Sequence, residues 1–226
     1  MKQISLIISL FLIFSCNKVG VSKTEVQAVD KVLEFYGGEI NRSIGFKTAN
    51  AKKTDYFELK ISKSQLLNND QKDLTEHAGN IAYLFYSNLK NEKSNYDEIK
   101  VIIDLQNGES RSYNFPVNEL KEIEALYQEI EKTNNSINNS DFKFLANQFD
   151  ERIGTNEIEL EKLLSQLHSN FGSIKQIQFQ GFQFSNDKDM GDYIIVKEAI
   201  VLENDSIAMY LSYDRNTKKL IGIHFP

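Results

Sequence analysis

The side chains able to do nucleophilic, acid–base or metal chemistry are few in this chain and widely spaced. It has one cysteine, Cys16, and three histidines, His77, His168 and His224. Structural and catalytic metal sites need several such ligands at short spacing, and none of the three histidines has a partner at that spacing. All three are read as surface residues, with His168 near a helix end where a proton would meet the negative dipole. Gly-x-Ser-x-Gly is absent, and Gly37-Gly38 lacks the Lys-Ser/Thr of a phosphate loop. Asp187, Asp189 and Asp192 form an acidic loop with Asn186. No glutamate stands where a calcium loop needs its bidentate ligand, so the loop is read as solvated. Two charges break an apolar alternation. Arg42 is in phase with Ile40, Ile44 and Phe46, and Glu198 is in phase with Val196, Ile200 and Leu202. A charge on a core-facing strand position must be paired, exposed at an edge, or lining a cavity. Glu198 is therefore the candidate ligand-binding residue, as a pocket contact or a weak base with a raised pKa. The alternative is a half-covered sheet face on which it reaches water. No catalytic residue, metal ligand or cofactor is assigned.

Cys16 follows a leader. Lys2 supplies a positive start, and Ile4 to Phe14 is apolar apart from Ser5 and Ser9. Such a run suits a signal peptide and is too short to span a bilayer, which takes about 20 residues. It ends in Ile13-Phe14-Ser15-Cys16. This resembles the lipobox of bacterial lipoproteins: an aliphatic residue at −3, a small one at −1, then cysteine. Phe14 at −2 is bulkier than that family's usual residue. The resemblance implies a thiol alkylated by diacylglycerol, cleavage before Cys16, and acylation of the new amine. Several acyl chains anchor stably where one would be marginal. The implied location is the cell envelope, lipid-anchored to a bacterial membrane and facing the periplasm, because residues 16–23 form a short tether without an acidic cluster.

Removing residues 1–15 leaves 211 residues and moves the formal charge from −6 to −7. A mildly acidic chain without a basic run is a poor partner for nucleic acid or an anionic surface. With Cys16 lipidated no disulfide can form, and stability must come from apolar cores.

Those cores are legible as two segments. Residues 24–132 read as helix, two strands, helix, hairpin and helix. Val26, Val29, Leu33 and Tyr36 share a helical face that Gly37-Gly38 ends. Leu74, Ala78, Ile81, Phe85 and Leu89 share another. A three-residue turn, Gln106-Asn107-Gly108, pairs Ile103 with Arg111, Val101 with Tyr113 and Ile99 with Phe115, so that the apolar faces agree. Asn118 should cap the next helix. The polar stretch 133–139 reads as a linker. Residues 140–226 read as two helices and four strands. Gly181 stands where Ile177 and Phe179 lose phase with Phe182 and Phe184, which predicts a β-bulge. A two-residue Asn204-Asp205 turn would pair Leu202 with Ile207 and Ile200 with Met209.

The sequence thus predicts an α+β chain of two small domains, each with helices on an antiparallel sheet. Phe171-Gly172, the aromatic strand Ile177 to Phe184, the hairpin Tyr193 to Tyr213, and Lys219-Leu220-Ile221-Gly222-Ile223 resemble a cystatin-like, nuclear-transport-factor-like cone. More narrowly, they resemble a small bacterial domain of unknown function found alone in lipoproteins and ahead of some α/β hydrolases. The resemblance implies a concave sheet face that often holds a pocket, and it carries no catalytic residues. The leading expectation is a membrane-anchored, non-catalytic module binding an envelope protein or a small ligand. An enzyme using Glu198 in the cone and an inhibitor or immunity-type protein are the alternatives.

Overall fold

A computed structural model describes residues 20–203 and 205–226; Cys16 and its leader lie outside them. The chain is α+β, with helices set against two four-stranded sheets. Among the described residues no helix is long and apolar enough to cross a membrane.

Helix α1 (Lys23–Tyr36) starts at a capping box. Ser22 accepts from the Glu25 backbone, and Glu25 accepts from the Ser22 backbone, so two orphan donors are satisfied reciprocally. Gly37 closes the helix at φ 63°. Strands β1 (Glu39–Ala49) and β2 (Lys52–Ser62) form a hairpin. Helices α2 (Gln65–Asn69) and α3 (Leu74–Asn88) then cross to β3 (Glu98–Asp104), which lies parallel to β2. The first sheet is therefore mixed, where an antiparallel one was expected. A helical crossover of this length is what a parallel pair requires. Strand β4 (Ser110–Pro116) returns in the expected register, with Ile103 opposite Arg111 and Ile99 opposite Phe115. Gly108 takes φ 88° in the turn.

Helix α4 runs from Val117 to Asn138, with Pro116 rather than Asn118 at its N-cap position. The stretch expected to be a linker is thus the end of a helix. Thr133, Ser136 and Ile137 are buried there, so its polar residues face structure rather than solvent. Short α5 (Phe142–Ala146) and α6 (Glu157–Phe171) follow, the latter capped by Asn156. The second sheet is an antiparallel meander of β5 (Ile174–Asp187), β6 (Gly191–Leu202), β7 (Ser206–Asp214) and β8 (Leu220–His224). The bulge falls at Gly181, and Ile177, Phe179, Phe182 and Phe184 pair with Ile200, Glu198, Val196 and Ile194. The β6–β7 turn is centred one residue earlier than expected. Ile200 pairs with Ile207, and the Leu202 amide donates to the Asp205 carbonyl. The register moves by two residues, which leaves every side chain on its expected face.

Helix α3 ties the sheets together. Beyond the expected stripe, His77, Gly79, Asn80, Ala82, Tyr83 and Tyr86 are buried as well. A Cβ on Gly79 would meet the Phe182 carbonyl at 2.6 Å, and one on Gly181 would meet the Glu76 carbonyl at 2.0 Å. Only glycine at both positions lets helix and strand approach so closely.

Candidate functional site

The crossing of α3 over the β5 bulge brings three polar groupings into the interior. The first runs along the start of α3. Gly181 pairs with Lys197, and with no side chain on the glycine, Lys197 reaches the segment leading into α3. Its Nζ donates to Asp70 at 3.0 Å and also to Asp73. The Tyr210 hydroxyl donates to Asp73 at 3.0 Å, and burial pushes that phenol up to about 12. Burial opposes the charge on Lys197, but bonds to Asp73 and Asp70 outweigh it and its pKa rises. Burial likewise opposes the charge on Asp70, yet bonds from Lys197 and His77 hold its pKa below the usual value.

His77 is not a surface residue. It is 2% exposed, because α3 is covered on both sides. Burial lowers its pKa against the pull of Asp70, so the ring is neutral. Its Nε2 lies 3.0 Å from Asp70 Oδ2 and its Nδ1 lies 3.3 Å from the Tyr36 hydroxyl. The carboxylate can only accept, so Nε2 carries the proton and Nδ1 is an acceptor, and the Tyr36 hydroxyl lies 3.3 Å from both Nδ1 and the His77 carbonyl. Asn80 Nδ2 donates to the Tyr36 oxygen at 2.9 Å. The order of donors is therefore Asn80 to Tyr36 to His77 to Asp70. At its head, Asn80 Oδ1 is buried with no partner among the described residues.

The second grouping surrounds Glu198. It is 0% exposed and lies between Phe179 and Met209 in the sheet. Asn134 Nδ2 donates to Oε1 at 2.8 Å, while Glu198 Oε2 and Asn134 Oδ1 have no partner among the described residues. Burial pushes the carboxyl up to about 7, against the bond from Asn134 that lowers it. Nearby, Tyr213 donates to Thr133, and Thr133 to Gln148. Glu198 does not reach water, and five cavities of about 350 to 730 Å³ are lined by other residues. Arg42 is exposed on β1, the edge strand of the first sheet. In the acidic loop, Asp187 accepts from the backbones of Asp189 and Met190 as turn residues do.

The third grouping is a cleft of about 730 Å³ between α1, α3, α4 and β5. Tyr83 and Tyr127 stack with ring centroids 6.2 Å apart. Phe179 lies 5.7 Å from Tyr83 and 6.1 Å from Tyr127. Asn80, Gln176 and Gln178 add amides, and Glu34 adds a carboxylate at the rim. Burial raises the pKa of both tyrosines, so both keep hydroxyl protons. Strand β5 is an edge of its sheet, which leaves this wall open to an incoming molecule.

Sequence reasoning singled out Glu198 and missed the cleft and the Lys197 grouping. The available signal was Gly79 and Ala82 on α3. Small residues beside the apolar stripe mark a helix approached closely on its second side.

No family model matches the chain, and no curated protein matches it. Among solved structures it is similar to Bdellovibrio bacteriovorus Bd1075, at 15% identity and a TM-score of 0.34 over 78% of this chain. The match spans 62% of that protein's length. A likeness this distant carries no argument about fold or function.

Proposed function

We propose that the protein is exported, lipidated on Cys16, and held in the cell envelope facing the periplasm as a non-catalytic binding module. The observation that carries the binding reading is the cleft between α1, α3, α4 and β5. Its volume of about 730 Å³ is in the range of small-molecule sites. Aromatic rings and a few amides line it. Glu198, on which an enzymatic reading rested, has no exposed surface and is bonded to Asn134.

The anchor reading is supported by the leader and by the start of the fold. Six residues separate Cys16 from Lys23, the first residue of α1. Fully extended, that tether reaches roughly 25 Å, so the module sits close to its membrane. In the C-terminal half, two helices followed by a bulged antiparallel meander support the reading as a cystatin-like cone.

The anchor is tested by metabolic labelling with a radioactive fatty acid, followed by fractionation. The wild type should take up label and sediment with membranes. Cys16→Ser should take up none and lose its membrane retention. An unlabelled wild type, or a Cys16→Ser protein labelled as strongly as the wild type, would contradict it.

A further inference from the structure

We infer that the tip of the β1–β2 hairpin rests on a phospholipid surface, with Phe46 set among the headgroups. The inference rests on the lipid-anchor reading above and adds a second point of contact to it. Three observations support it. The first is how far the hairpin protrudes. Strands β1 and β2 pair without interruption from Glu39 opposite Ser62 to Ala49 opposite Lys52, but β3 pairs with β2 only from Tyr56 onward. The Asp55 backbone is still held by Asp97. Beyond it the chain is a two-stranded ribbon projecting past the third strand, closed by Asn50 and Ala51, both at positive φ. Residues 46–53 are all exposed. A two-stranded ribbon is marginally stable by itself in water, and a surface covering it adds stability.

The second observation is what the ribbon carries. Phe46 is 65% exposed, the most exposed phenylalanine among the described residues. Lys53 Nζ lies 5.2 Å from the centre of its ring. Residues 46–53 hold three lysines and no carboxylate. Lys47 and Lys53 are paired at the base of the ribbon with Glu98 and Asp55, and Lys52 has no carboxylate partner among the described residues. An aromatic ring bordered by lysines suits a membrane interface, where the ring meets the acyl boundary and the lysine stems carry their charges to the phosphates.

The third observation is where the anchored end of the chain enters the fold. Gly20, the first described residue, shares a cavity with Ile44 and Asp55, and Asp55 stands opposite Phe46. Helix α1 starts at this end of the sheet and finishes at the other, where Gly38 approaches the Ser62 carbonyl. The four peptide steps from Cys16 to Gly20 reach about 14 Å at most. The three residue pairs beyond Asp55 carry the ribbon about 10 Å outward. A membrane holding lipid on Cys16 is therefore within reach of the tip. Exposed Phe144 is placed differently. Helix α4 starts beside Asp97 and is 22 residues long, about 33 Å, and Phe144 follows its far end in α5.

The test uses the full-length chain, isolated from its own cells and reconstituted with vesicles of phosphatidylcholine and phosphatidylglycerol. The sequence holds no tryptophan, so Phe46→Trp and Phe144→Trp each carry a single reporter. On reconstitution the emission of Phe46→Trp should shift to the blue, and brominated acyl chains should at least halve it. Phe144→Trp should emit as from water and stay unquenched. Thr48→Trp, on the same face and nearer the turn, should follow Phe46→Trp and serves if that variant does not fold. A chain that does not float with the vesicles contradicts the anchor reading and takes the hairpin contact with it. A chain that floats while Phe46→Trp is unquenched, or quenched no more than Phe144→Trp, overturns the contact and leaves the anchor standing. A blue shift without quenching by bromine would show that protein, not lipid, covers Phe46, and would overturn the contact as well.

Discussion

Glu198 has no exposed surface and one hydrogen-bond partner among the described residues, Asn134. Its carboxyl is held near 7 in the folded chain against 4.5 for the free group. Below about pH 4.5 both states are protonated and the residue costs nothing. As pH rises the unfolded chain releases its proton first, so stability falls until the folded carboxyl also ionises near pH 7. The full loss is roughly 3 kcal/mol. Glu198→Gln keeps an acceptor for Asn134 and removes the titration. Urea unfolding from pH 5 to pH 8 should show the variant gaining on the wild type by about that amount. A constant difference across the range would show that Glu198 does not titrate there. This residue was legible in the sequence because its charge interrupts an apolar alternation. His77 and Lys197 were not. Each lies off the apolar face of its own element, and each is buried by an element far away in the chain. Lys197 meets Asp70 and Asp73, a contact that no local pattern encodes.

The approach of α3 to β5 depends on two glycines. Gly181 has φ 147°, and a Cβ there would overlap the Glu76 carbonyl. The obstacle is backbone, which cannot swing aside as a flexible side chain would. Gly181→Ala should cost about 3 kcal/mol or more, from overpacking plus a strained backbone. Gly154→Ala is the control. Its φ is 68° with nothing within 4 Å of the new Cβ, so strain alone should cost about 1 kcal/mol. Equal shifts in the urea midpoint for the two variants would remove the close approach as the cause. The bulge itself was readable, since one extra residue restores phase to four apolar positions. The parallel β2–β3 pair was not, because alternation in a strand carries no direction. The end of α4 was misread for a related reason. Polar, cap-forming residues predict a break, but tertiary contacts bury Thr133 and Ser136 and carry the helix on to Asn138.

Both sheets contribute to one continuous set of buried apolar side chains, with α3 between them. Phe115 of the first sheet and Phe182 of the second meet edge to face at 5.9 Å. The cleft exists because of this arrangement. Three of its walls come from helices in the N-terminal half and another from an edge strand in the C-terminal half, so neither half forms it alone. Phe35 of α1 also lines the cleft. The most direct test is native mass spectrometry of the full-length protein, isolated from its own cells. The wild type should carry a bound small molecule at one per chain, and Tyr127→Ala, with its fold intact, should have lost it. A wild type that emerges empty under the gentlest release, or a bound mass retained in full by Tyr127→Ala, would contradict the cleft as the binding site.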